Sequence, residues 1–181
     1  MAQWIIDPVH SEVTFKVKHL VVSTVTGRFT SVRGTVEATK NDFSDARVSF
    51  QADVNSISTN NEQRDGHLKS ADFFDAANFP ELSFTSTAIE PKSDGALVMK
   101  GDMTIRGTKR SIALHVAYNG TVKGFDGDVA GFEISGVLNR QDFGLRWNAL
   151  TETGGVVVSD EVKLVIAVEL KRAQAAASAA A

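Results

Sequence analysis

Apolar and polar residues alternate with a period of two along most of this chain. In "EVTFKVKH", Val13, Phe15, Val17 and His19 fall on one side while Glu12, Thr14, Lys16 and Lys18 fall on the other, which is the pattern of a half-buried strand. "TGRF" follows and leads into Val32 to Val36. The spacing then recurs at Val48 to Val54, Leu82 to about Ile89, Leu97 to Ile105, Ile112 to Tyr118, Ala130 to Leu138 and Val162 to Leu170. Turn signals separate the runs at Asp42 to Asp45, Pro91 to Gly95, Gly107, Asn119-Gly120 and Gly124 to Gly127. The reading gives eight main strands and a short opening strand around Trp4 to Ile6.

Short links make successive strands antiparallel neighbours. Eight tilted strands with one apolar face close on themselves and so remove exposed edges. A two-sheet sandwich fits the same pattern, but the predicted fold is an all-β, eight-stranded antiparallel barrel. Its register places Phe15, Phe50, Phe84, Leu114, Phe132 and Ile166 inside, with Lys16, Lys18, Gln51, Lys100 and Lys163 outside.

One segment breaks the rhythm, a helical excursion at about 60–78. Thr59-Asn60-Asn61-Glu62 has the spacing of a capping box, and Pro80 bars continuation of the helix past Asn78. The polar run "RDGHLKS" carries only Leu68 as an apolar residue, so its anchors are predicted to be Phe73, Phe74 and Phe79. Gly66 inside it suggests a bend or a close backbone approach. Arg64, Asp65 and His67 are read as a hydrogen-bonded clasp across the barrel, with His67 or Arg64 also placed near its mouth.

Composition changes this picture little. With 181 residues the chain is read as one domain, 1–172, followed by an Ala-rich tail, 173–181. A net charge of −3 argues against a general electrostatic grip on nucleic acid or on an anionic membrane. The absence of cysteine excludes disulfides and thiolate chemistry. The start "MAQWIIDPVHSEV" has no basic and apolar leader, which reads as cytoplasmic, or periplasmic if the chain is a mature form. No run of ~20 apolar residues suggests membrane insertion.

Candidate chemistry is sparse. His67 beside Asp65 or Asp72 lacks a partner nucleophile, so no catalytic residue is assigned. The histidines, His10, His19, His67 and His115, lie on separate segments without metal-ligand spacing, and no metal or cofactor is assigned. His19 continues the inward register and needs a polar partner. Arg140 and Arg146 flank "DFG" near a strand end, where a guanidinium suits a polar or phosphate head. An ion pair with Asp142 or Glu152 is the structural alternative for them. The inward set mixes large residues with Ala52, Ala88, Gly101, Ala130 and Gly136. That mixture fits a filled core and a cavity alike.

The segments "IDPVHSEVTFKVKHL", "TGRFTSVRGTV", "SISTNNEQRDGHLKSADFFDAANFPELSFTST", "MKGDMTIRGTKRSIAL" and "NRQDFGLRWN", in that order, resemble the YceI-like family of bacterial polyisoprenoid-binding, lipocalin-like proteins. The resemblance runs from about Trp4 to Arg172. It implies a barrel with an apolar tunnel for an isoprenoid, quinone-like or fatty amphiphile, and a homodimer. Most relatives carry a signal peptide, from which this chain departs.

The expected ligand contacts are Phe15, Val17, His19, Phe50, Ala52, Phe84, Gly101, Met103, Leu114, Ala130, Phe132, Ile134 and Ile166, with His67 and Arg140 toward the polar head. Two classes of function compete. One is a lipid binder for transport, storage or sequestration; the other is a structural or stress-related protein with a packed barrel.

Overall fold

The computed structural model describes residues 1–173, so the predicted tail falls, Ala173 apart, outside the described residues. The strands are β1 (Ala2–Ile6), β2 (Glu12–His19), β3 (Ser23–Phe29), β4 (Val32–Ala38), β5 (Arg47–Asp53), β6 (Ile57–Ser58), β7 (Glu81–Pro91), β8 (Leu97–Ile105), β9 (Thr108–Gly124), β10 (Gly127–Asn139) and β11 (Val158–Arg172). One α-helix, α1 (Glu62–Lys69), stands between β6 and β7.

The sheet order β1-β4-β5-β7-β8-β9-β10-β11 returns to β1 through an antiparallel β1–β11 pairing, which closes an eight-stranded barrel. Three of its staves are broken in two, because β2, β3 and β6 continue β1, β4 and β5 past short interruptions. Between β1 and β2 the chain steps out at Pro8. Ser11 Oγ accepts from Glu169 N at 3.0 Å there, holding both halves to the same long β11. The barrel thus has a lower end, with the turns after β4, β7 and β9, and an upper end, with the β2–β3 hairpin, α1 and the 140–157 segment.

Alternation sets the register as the sequence reading requires. Phe15, Phe50, Phe84, Leu114, Phe132 and Ile166 face one apolar interior, while Lys16, Lys18, Lys100 and Lys163 are exposed. Gln51 is half-buried on the outer face, its amide donating to Ser49 Oγ.

Several local expectations are corrected. "STVTGRF" is a full strand, β3, because Val25, Gly27 and Phe29 make an inward row opposite Val17, Phe15 and Val13. Asn119-Gly120 makes no turn; β9 runs through it and absorbs the extra residue as a bulge opposite Gly131 and Phe132. A second bulge between Ser86 and Ala88 turns Ala88 outward, so that Ile89 and not Ala88 faces the interior.

Helix α1 begins two residues later than predicted. Its N-cap is Asn61, whose side-chain oxygen accepts from Arg64 N at 2.9 Å, so the Thr59–Glu62 box does not form. Gly66 has nothing within 4 Å of its missing Cβ, which removes the reading of a close approach there.

Candidate functional site

The barrel encloses a cavity of about 220 Å³ running along its axis. Every lining side chain is apolar except Arg140. Strand residues such as Phe15, Phe50, Met99, Met103, Leu114, Ile134 and Ile166 form the wall. Leu68, Phe73 and Phe74 reach in from α1 and the turn after it, and Phe43 reaches in from the turn after β4.

The lower end is sealed by aromatic packing. Phe43 sits in the left-handed region at φ 57°, a backbone that aims its ring inward. It meets Trp4, Tyr118 and Phe132 at centroid distances of 5.3, 5.4 and 5.0 Å. The Asp45 carboxylate holds the turn by accepting from the backbone N–H groups of Thr39 and Lys40.

The upper end is closed by polar fastenings over a few aromatic anchors. Buried Thr59 donates through N and Oγ1 to Asp65 Oδ1 at 2.8 and 2.6 Å, and Arg64 donates back to Thr59 Oγ1 and O at 2.7 and 2.9 Å. The clasp predicted for this stretch therefore joins Arg64 and Asp65 through Thr59. His67 stands outside it, donating from Nε2 to Asp72 Oδ2 at 2.9 Å with its ring edge-on to Phe73 and Trp147. Phe73 is the buried anchor, whereas Phe74 is half-buried against Phe29 and lines the cavity.

Of the residues expected from sequence to meet a ligand, Phe15, Val17, Phe50, Phe84, Met103, Leu114, Phe132, Ile134, Ile166 and Arg140 line the cavity. Ala52, Gly101 and Ala130 do not. Both alanines are wholly buried, and the space over Gly101 is filled, since Phe84 Cζ lies 2.4 Å from where a Cβ would stand. Gly27 accommodates Phe15 and Gly136 accommodates Leu114 in the same way. These three glycines make room for neighbouring side chains. His19, half-buried at the hairpin base, and His67 are also outside the lining.

Arg140 has a different role from the one its position suggested. Its guanidinium donates to the carbonyls of Ser159, Leu145, Trp147 and Val158 and to Asp160 Oδ1, at 2.6–3.4 Å. An arginine has five N–H groups, and all are spent on the protein. Burial holds its pKa below the usual guanidinium value, and Asp160 offsets this only in part. Arg140 fastens the 140–158 segment and offers the cavity only its flank. Its acidic partner is Asp160, in place of Asp142 or Glu152.

Sequence reasoning missed Phe43, whose inward aim depends on a single left-handed residue in a polar turn. It also missed a cluster on the outer wall. Buried Asp7 accepts from His10 Nδ1 at 2.7 Å and Lys171 Nζ at 2.6 Å, with Glu169 Oε1 3.5 Å from His10. Asp7, His10 and Glu169 have metal-ligating atoms within 4.8 Å of one another, although the Lys171 ammonium already holds the cation position. Lys171 and His10 together keep the Asp7 carboxyl far below its ordinary range.

The comparisons agree with this architecture. A UPF0312 protein of Staphylococcus aureus is 37% identical over 171 residues, covering 93% of this chain and 97% of that one. The crystal structure of a Campylobacter jejuni YceI protein superposes with a TM-score of 0.72 at 31% identity, covering 87% of this chain and 90% of that one. A polyisoprenoid binding domain from Saccharophagus degradans, implicated in plant cell wall breakdown, shares the fold with a TM-score of 0.68 at 14% identity, covering 94% and 98%. The family model described as the YceI-like domain matches residues 4–170. With its closed barrel, axial cavity and helical closure, the chain belongs to the YceI-like domain family.

Proposed function

We propose that this protein holds one elongated amphiphile of the isoprenoid, quinone-like or fatty class in its barrel, without altering it chemically. The cavity carries this reading. At ~24 cal/mol per Å³, a void of about 220 Å³ withholds about 5 kcal/mol from the fold. That is comparable to the whole net stability of a small domain, ~5–15 kcal/mol. Protein interiors otherwise hold few voids larger than a water, so a structural protein with a packed barrel fits poorly.

An apolar chain that fills the void recovers this loss. Apolar burial contributes ~25 cal/mol per Å², and walls of this kind select length and shape over chemical identity. The fold relative described as a polyisoprenoid binding domain supports the ligand class.

The wall has a natural way in. β3 pairs with β6 only through Arg28 and Phe29, so from Ser23 to Gly27 the side of β3 facing away from β2 has no ladder partner among the described residues. Phe15, Phe29, Leu68 and Phe74 line the cavity near this gap, between the hairpin and α1. Among the described residues the lining offers no nucleophile or proton-transfer base, its one polar member, Arg140, being fully bonded.

The test is retention of a labelled polyprenyl amphiphile by wild type and by Ile134→Phe and Ile166→Phe, which face each other across β10 and β11. Both variants should keep the fold and lose most retention. Equal retention by all three would place the ligand outside the barrel.

A further inference from the structure

The β2–β3 hairpin stands above the barrel with an apolar tip that no side chain among the described residues covers. Leu20, Val21 and Val22 are exposed, Val21 and Val22 at 77% and 85%. Leu20 and Val21 lie in the left-handed region, at φ 52° and 66°. For a β-branched residue such as Val21 that backbone is a true outlier. Leu20 N donates to Val157 O at 2.9 Å, joining the tip to a second turn on which Leu150 and Val156 are also exposed.

Directly below the tip, the outer face of β2, β3, β10 and β11 is cationic. Lys16 and Lys163 are cross-strand partners, Lys18 is the next outward residue of β2, and Arg28 faces outward opposite Thr14. None of these four is in an ion pair among the described residues. Like charges set directly opposite are destabilising in a sheet. Exposed Val137, the partner of Lys163 on β10, and exposed Val165, the partner of Thr14, lie among them. Glu12 and Glu161 border the patch.

We infer that this hairpin and the face below it dock the protein onto an anionic lipid surface, the apolar tip entering the headgroup layer and Lys16, Lys18, Lys163 and Arg28 meeting lipid phosphates. Apolar side chains held outward beside unpaired cations are the two components of interfacial membrane binding. The charge complementarity selects a bilayer over an acid-free apolar partner. An anionic surface also relieves the Lys16–Lys163 repulsion that the free protein carries. The surface lies on the same end of the barrel as the unpaired β3 edge, but docking does not require the cavity to be occupied.

Flotation of the full chain with vesicles tests this. One set is phosphatidylcholine alone, the other an equimolar mixture with phosphatidylglycerol. The wild type should float with the mixed vesicles at low salt and be released at high salt, since screening weakens exposed charge attraction. Neutralising each of Lys16, Lys18 and Lys163 should lower the partition coefficient about fivefold. Val21→Asp with Val22→Asp should abolish flotation while vesicle-free retention of the amphiphile stays unchanged, which separates this surface from the cavity.

Binding to neither vesicle type would overturn the inference. So would tip variants that float as well as wild type, or tip variants whose only change is loss of a dimer in sedimentation, which would make the patch a contact between copies.

Discussion

The two ends of the barrel are closed by different physics. Below, Phe43, Trp4, Tyr118 and Phe132 interlock ring against ring, and the closure is made of buried area. Above, α1 carries no fully buried residue and is fastened by the Thr59–Arg64–Asp65 bonds, by Phe73 on Trp147 and by the Arg140 grip on the 140–158 segment. Hydrogen bonds to charged groups, as these are, are worth ~1.5–3 kcal/mol each because water competes for them. Deleting a buried aromatic side chain costs ~3–5 kcal/mol. The lower end is held by buried area and the upper end largely by polar fastenings, so local opening is expected first at the upper end.

The largest test of this contrast is Phe43→Ala. Removing the floor should cost about 3–5 kcal/mol in denaturant midpoint analysis, with an unchanged m-value. A loss under ~1 kcal/mol would show that the aromatic cluster does not carry the lower closure.

Next in size is Asp7→Asn on the outer wall of the lower half. Asp7 is a buried carboxylate whose folded pKa is depressed below 3.8 by Lys171 and His10. Its contribution is therefore present above the ordinary carboxylate pKa and lost as pH falls below ~4. The variant should lose ~2 kcal/mol at neutral pH and show a flatter acid limb than wild type. Parallel acid limbs would contradict the assignment.

Two smaller effects belong to the upper end. Val21→Gly should raise stability by ~1 kcal/mol, by relieving the left-handed backbone. Asn61→Ala removes the α1 cap and should cost ~1 kcal/mol. In hydrogen exchange that loss should be confined to residues 60–79, without loosening β8 to β10. Global loosening would mean that the two ends are not independent.

What the sequence made legible follows from what alternation encodes. Period two reports which side of a strand a residue faces, so the interior placement of Phe15, Phe84, Leu114 and Ile166 could be read directly. It does not report interruptions. The bulges at Asn119 and near Thr87 each shift the phase, and the second alone turned Ala88 outward. Nor does it report occupancy, because the emptiness beside Gly101 is cancelled by the ring of Phe84, a neighbour known only once the strands are paired. Arg140 was visible as a candidate, but its five bonds go to four carbonyls and the Asp160 carboxylate, up to 20 residues away, which only the fold gathers. The helix was legible from Pro80 and its polar run. Its cap fell on Asn61 because Thr59 is drawn to Asp65 instead.

The proposed binding rests on a cavity of fixed size, and its most direct measurement is a titration with a series of amphiphiles that differ only in apolar chain length. Each added methylene should tighten binding about fourfold while it still enters the barrel. Affinity should then level off once the roughly 220 Å³ is filled, at one ligand per chain throughout. Affinity independent of chain length, or uptake of many equivalents without a plateau, would contradict it.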